Sequence, residues 1–493
     1  MVSSNYKIVI MLLLLRELSL RINKLNWGLI FFVIMSMVQT DALAGHYVVD
    51  STSRSTNWDR AEWLNYPSVP PDCTPSTPVT AMRMAQAGDA VYFRGGEGGN
   101  YNLTVNPNYG IPALNPANNG TAKRPIQFLN FPNERPHLKN ILIYPNKGYW
   151  HPLIGAIQKE WIIWKGFELS AESAAGAVVF DISKHCILEN CRVEGKVIPA
   201  KKRRLTNYNA INIRNFSEFI TIRNCLVLRV HGTDGVNGAG IKLYSGYHTT
   251  VENCTFLEND YAIHDKNDGR HNVYKRNFIR SNVIGIELGA MAGGPPSEDI
   301  EISNNIILLT GSSGIGINII ASLSAVDAVH GLRCYNNVID PNGSVGINFN
   351  SGFLQQYYNN IIVNSSVALR HVGDKGEIDY CDYNDYFGGQ TFILRDYQTN
   401  RVVHKTLENW QKSGELSGEK HPDIHSLSAD PLFFNSIGNQ PLDYRLRTNS
   451  PCIGAGKGGV NMGPLPPHTV GRISFVSDGL GEPSPPTGLK VVQ

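Results

Sequence analysis

Leu188-Glu-Asn-Cys191-Arg-Val193, Ile222-Arg-Asn-Cys225-Leu-Val227 and Val251-Glu-Asn-Cys254-Thr-Phe256 are three copies of one pattern. Each reads apolar, two intervening residues, Cys or Asn, one residue, apolar. The pattern continues as Tyr274-Lys-Arg-Asn277-Phe-Ile279, Ile302-Ser-Asn-Asn305-Ile-Ile307, Cys334-Tyr-Asn-Asn337-Val-Ile339 and Tyr357-Tyr-Asn-Asn360-Ile-Ile362. Trp164-Lys-Gly-Phe167-Glu-Leu169 is an earlier, degenerate copy. The fourth positions stand 23 to 34 residues apart. A helical repeat would place apolar residues every three or four positions; these windows alternate and are rich in Ile, Val and Phe, so each copy reads as a short strand. One strand followed by turns cannot bury its own face and must stack on its neighbours. Stacked in register, about 4.8 Å apart, such strands form an all-β right-handed parallel β-helix of about ten coils. Its ends need caps, because an open coil exposes unpaired strand edges.

The fourth position faces the core. Asn277, Asn305, Asn337 and Asn360 are expected to bond one another as a ladder. Cys191, Cys225 and Cys254 continue the column as small buried residues and are expected to be free thiols. The chain has 8 cysteines and no CxxC or Cys/His zinc spacing; the state of Cys73 and Cys452 stays open.

The rest of the 493 residues fits this frame. With 42% hydrophobic and 17% charged residues a disordered chain is excluded. A net charge of +2 is low for a general nucleic-acid binder. Residues 1–44 carry basic residues, an apolar run Trp27 to Val38 and the Ala42-Leu43-Ala44 site of a secretory signal peptide, so export with cleavage after Ala44 is expected. No later run is long enough to span a membrane. Residues 45–395 form the solenoid, with a short helix at Thr80 to Ala87; 396–475 are expected to cap it, with a helix at Leu407-Glu-Asn-Trp-Gln; 476–493 are a Pro/Gly-rich tail.

A second strand repeats as Ala210-Ile-Asn-Ile, Gly240-Ile-Lys-Leu, Ala262-Ile-His-Asp, Gly285-Ile-Glu-Leu, Gly316-Ile-Asn-Ile and Gly346-Ile-Asn-Phe. The Ile points in and the next residue out. The outward column is Asn212, Lys242, His264, Glu287, Asn318 and Asn348, with Arg214, Tyr244 and Lys266 two residues further on. An exposed face that gathers bases, an acid and cations suits an elongated sugar chain.

Residues 45 to 395 resemble the secreted parallel β-helix proteins that include many polysaccharide lyases. The segments His46-Tyr-Val-Val and Ala87-Gly-Asp-Ala-Val-Tyr-Phe look like their first coil, and Ser428-Ala-Asp-Pro-Leu-Phe through Gly456 like their terminal segment. Ile263-His-Asp-Lys266 and Asn272-Val-Tyr274-Lys-Arg-Asn277 are similar to the catalytic-lysine region of the chondroitinase-B and alginate-lyase group. The resemblance implies β-elimination on an anionic uronate polysaccharide by a monomeric enzyme, with Lys266 as base. His264 and Tyr244 are alternatives for acid or base, Lys242 and Arg214 would neutralise the carboxylate, and Glu287 would orient His264 or Lys242. Asn212, Asn318 and Arg270 are expected to bind substrate. That group also places acidic calcium ligands just before the lysine and an arginine on the next coil, where this chain has Asn259, Tyr261 and Glu287. Calcium is therefore possible as a cofactor without its usual ligands, and no metal site is assigned. Asp234, Asp265 and Asp268 read as turn formers or calcium ligands, and Lys201-Lys-Arg-Arg204 as a solvated loop or polymer contact. Two alternatives remain: a glycoside hydrolase pairing Glu287 with a second carboxylate such as Asp265, and a non-catalytic glycan-binding or surface protein.

Overall fold

The computed structural model describes residues 45–49, 74–95, 100–104, 110–141, 152–170, 176–195, 209–232, 238–290, 294–321, 329–349, 352–372, 376–388, 391–395, 402–413, 422–435 and 440–464. The proposed signal peptide, Cys73, Asp234, the basic run 201–204 and the tail lie outside these residues. Among the described residues no helix is long and apolar enough to cross a membrane.

The described residues form three sheets between His46 and His404: one of 15 strands, here sheet A, and two of 11, sheets B and C. The chain visits them in turn and pairs its strands in parallel with their counterparts one coil on, except Val402–His404, which pairs antiparallel with Phe392–Arg395; a right-handed parallel β-helix results. The recurring hexad is not one strand, as its alternation predicts, but two with a corner between them. Leu188 lies in a sheet A strand, Ile187–Glu189, and Val193 in a sheet B strand, Arg192–Glu194. Asn190 makes the corner at φ 53°, and Asn224, Asn253, Asn304, Asn336 and Asn359 repeat it at 53° to 56°. Asn tolerates the left-handed region better than most residues, which explains why the third position of the hexad is so often Asn.

The following residue turns into the core. Asn277 Nδ2 donates to Asn305 Oδ1 at 3.0 Å, Asn305 Nδ2 to Asn337 Oδ1 at 2.9 Å, and Asn337 Nδ2 to Asn360 Oδ1 at 3.0 Å. The ladder runs further than expected. Asn360 Nδ2 donates to Asn384 Oδ1 and Asn384 Nδ2 to Asp423 Oδ1, where Tyr386 and Ser426 also donate, while Trp410 donates to Asp423 Oδ2. Cys191, Cys225 and Cys254 are free and buried, as is Cys452.

The N-terminal helix is α1 (Pro78–Met84), capped by the Thr77 hydroxyl, a little before the expected span. The C-terminal helix α2 (Leu407–Gln411) buries Trp410 beside Phe392. Beyond it the chain does more than cap the end. Phe433, Tyr444, Cys452 and Met462 pack on Leu226, Leu257, Phe278, Ile306 and Ile361, residues of sheet B outside the main core. The sheets thus have three different outer faces. Sheet B is covered between Leu226 and Val363 by the chain's own C-terminal segment. Sheet A carries partly exposed ion pairs, such as Lys165 and Arg223 on Glu189 at 3.0 and 2.7 Å. Sheet C carries the candidate site.

Candidate active site

Six strands of sheet C follow one another with one-to-one register: β1 (Asn209–Arg214), β2 (Ala239–Tyr244), β3 (Tyr261–Lys266), β4 (Ile284–Ala290), β5 (Ile315–Ala321) and β6 (Val345–Phe349), with β7 (Val367–Val372) next. Ile211, Ile241, Ile263, Ile286, Ile317, Ile347 and Leu369 align inside and anchor the register. The residue after each points outward, so Asn212, Lys242, His264, Glu287, Asn318, Asn348 and Arg370 form one column. Arg214, Tyr244 and Lys266 form the column beside it.

The expected column exists, but it is not an exposed face. Lys242 is 1% exposed, His264 4% and Glu287 5%. His264 Nε2 lies 3.2 Å from Glu287 Oε1, and the Tyr261 ring stacks on His264 at 5.6 Å. Glu287 Oε2 accepts from Asn318 Nδ2 at 2.7 Å. Two amines approach the Tyr244 ring, with Lys242 Nζ 5.3 Å and Lys266 Nζ 5.4 Å from its centroid.

Burial sets the protonation states. It pushes Lys242 down to about 8; the Lys266 charge adds to the fall and Glu287 opposes it. Lys266 is also lowered by burial, against a raising pull from Glu287. Burial holds His264 well below its ordinary value, helped by both lysines, so its ring is neutral. Glu287 is pushed up to about 7 by burial, against the Asn318 hydrogen bond and the two lysines. An amine and a carboxyl that titrate near neutrality, beside a neutral imidazole, are the parts of a proton-transfer site.

The other sequence candidates separate clearly. Asn212 lies next to Lys242 and donates to the Asn209 carbonyl at 3.0 Å. Arg214 lies beside Tyr244, with its Nε 3.9 Å from Asp181. Arg270 is not in the columns: it sits past the β3 corner, 2.7 Å from Asp268 and over the Tyr247 ring. Asp268 also accepts from the Tyr247 hydroxyl. Asp265 points into the solenoid, aligned with Leu243 and Leu288, and accepts from Tyr274 and Asn272. Asp265 and Glu287 therefore lie on opposite faces of sheet C and cannot flank one glycosidic bond. Arg370 was missed because its triplet, Ala368-Leu-Arg370, has Leu where the other copies have Ile.

The calcium positions of the resembled group do not fit a metal here. Asn259 is fully buried, its amide spent on the Val227 carbonyl and the Val230 N–H, and Tyr261 stacks on His264. Among the described residues no three His, Cys, Asp or Glu side chains gather as a metal cluster.

No protein-family model matches the chain, and no curated protein does. Solved structures do. The pectate lyase Pel9A is 13% identical over 85% of this chain and 96% of that one, with a TM-score of 0.49. An alginate lyase from Paenibacillus sp. str. FPU-7 is 13% identical over 65% and 93%, at 0.39. A lacto-N-biosidase from Eubacterium ramulus is 12% identical over 70% and 64%, at 0.41. A fold by itself does not fix an activity, and the side chains of sheet C carry the functional reading.

Proposed function

We propose that the chain is an exported polysaccharide lyase that cleaves an anionic uronate polymer by β-elimination, acting as a monomer. The observation that carries this reading is the column Lys242–His264–Glu287 with Tyr244 and Lys266 beside it. Two amines of lowered proton affinity stand on adjacent coils around one phenol. Lys266, the more exposed amine, takes the proton from C5 in its neutral form. Lys242 and Arg214 face the uronate carboxylate and stabilise the charge that develops on it. The C4–O bond then breaks, a C4–C5 double bond forms, and Tyr244 or His264 supplies a proton to the leaving oxygen. Glu287 holds the His264 ring. Asn212 and Asn318, 1% and 5% exposed, order the column's side chains rather than touch the sugar.

A hydrolase would need a second carboxylate beside Glu287; the inward direction of Asp265 supports the lyase reading over that one. The test is ultraviolet absorbance of the unsaturated product on alginate, pectate and chondroitin sulfate, with and without chelator. Absorbance should rise on one polymer, survive chelator and vanish in Lys266→Ala. A flat trace on every uronate polymer, with new reducing ends on a neutral glycan, would overturn the reading.

A further inference from the structure

The column continues past the proposed catalytic groups as an unbroken chain of hydrogen bonds. Asn318 Nδ2 donates to Glu287 Oε2 at 2.7 Å, Asn348 Nδ2 to Asn318 Oδ1 at 2.7 Å, and Arg370 Nε to Asn348 Oδ1 at 2.7 Å. Asn318 and Asn348 are 5% and 4% exposed, so no bulk solvent competes for these bonds. Either amide alone could turn over and exchange its donor for its acceptor. A guanidinium cannot: it has donors and no acceptor. Arg370 therefore demands the carbonyl side of Asn348. Asn348 must then offer its NH₂ to Asn318, and Asn318 its NH₂ to Glu287. The order of donors along three coils, about 14 Å, is set at the far end.

We infer that Arg370 is a positioning residue: acting through Asn348 and Asn318, it holds Glu287 Oε2 as an acceptor, so that Glu287 works as a carboxylate and any proton it shares lies on the Oε1 side, toward His264. This rests on the lyase reading for its purpose, but not for its geometry. The titratable groups facing Glu287 are Lys242 from β2 and His264, Lys266 and Tyr261 from β3. All of them lie on the Oε1 side of the column or beside it, and among the described residues the column on the Oε2 side is amide through β5 and β6. Without Arg370 both amides can reverse. Asn318 then presents its carbonyl oxygen, and Glu287 meets it best as a protonated acid that donates from Oε2.

The experiment follows Glu287 directly, by carbon NMR of the side-chain carboxyl in protein labelled at glutamate, with the resonance assigned by its loss in Glu287→Gln. In Arg370→Met the titration midpoint should move up by about one pH unit. In Arg370→Lys it should stay within a few tenths, because an ammonium is also a donor only. Asn348→Leu keeps the Arg370 charge and cuts the relay, and should match Arg370→Met; it also serves if that variant does not fold. If Asn348→Leu leaves the midpoint in place, the relay is refuted and only the distant charge of Arg370 acts. If neither Asn348→Leu nor Arg370→Met moves it, the positioning role is refuted altogether. A chain that shows the shifts yet cleaves no uronate polymer would sink the lyase reading and leave the relay standing.

Discussion

Replacing Lys242 with methionine keeps the length of the side chain and removes its charge. Lys242 is 1% exposed and its proton affinity falls from 10.5 to about 8 on folding. The sign follows from linkage. A base whose affinity is lowered by folding contributes most above its unfolded value, and loses that contribution as pH falls through the folded one. At pH 7 both states are protonated, and the folded state bears a cost of about 3 kcal/mol. At pH 10 the unfolded lysine is mostly protonated and the folded one neutral, so the cost shrinks to below about 1 kcal/mol. A smaller term opposes it: Lys242 is one of two cations that steady Glu287, and its loss raises the cost of that carboxylate. Lys242→Met should therefore be more stable than wild type at pH 7 by about 2 kcal/mol, and close to it at pH 10. Polymer cleavage should be lost at both. Urea unfolding at the two pH values, with the absorbance assay alongside, reads all of this. A variant less stable at pH 7, or a gain that persists at pH 10, would show that Lys242 is a structural residue with a well-matched partner, and the argument from burial would fail.

Two further outcomes are expected. Asn305 accepts from the Asn277 backbone and side-chain N–H groups and donates to the Tyr274 carbonyl and Asn337. Asn305→Ala strands the buried Asn277 backbone N–H and should lower stability by about 3 kcal/mol in urea unfolding; a loss below about 1 kcal/mol would mean the ladder is tolerated rather than stabilising. Asp265, fully buried, is pushed up to about 6 by that burial, against hydrogen bonds from Asn272 and Tyr274. An acid raised by folding contributes most below its unfolded value near 4 and loses that contribution as pH rises through 6. Asp265→Asn should thus gain up to about 3 kcal/mol relative to wild type between pH 4 and pH 7.5, measured as the change in the difference of melting temperatures. No change in that difference would mean that Asp265 stays ionised inside the coil.

Much of the architecture was legible because stacking turns sequence periodicity into columns. The aligned Ile residues, the Asn ladder and the outer column Lys242–His264–Glu287 all follow from register alone. What was not legible depends on a third dimension that a linear pattern lacks. The hexad hides a corner, since Asn190 and its counterparts look like strand residues until their backbone turns left-handed. Asp265 adjoins His264 in sequence but faces inward, a consequence of alternation that its Asp-Lys-Asn-Asp setting, typical of turns, disguises. The burial of the outer column has no signature in a polar, charged triplet. The same is true of the C-terminal segment: Phe433 and Tyr444 look like parts of an end cap, and only packing shows them lying on sheet B.

Two polar columns run along this coil, and they differ in what they bury. In the interior ladder each Asn is neutral, and its donors and acceptor are met by its neighbours and by backbone carbonyls. Such a column rigidifies a fold at low electrostatic cost. The column on sheet C buries an amine, a carboxyl and an imidazole, and His264 Nδ1 has no partner among the described residues. Burying charge this way lowers stability unless every group is paired. A solenoid could fill the same positions with Thr or Val at no such cost, as it does at Val179 one coil before Asn212. Residues that a fold would be more stable without are best explained by what they do for a ligand. By that criterion the mutations worth making first lie on β2, β3 and β4. The ion pairs of sheet A, of ordinary surface strength, carry no comparable claim.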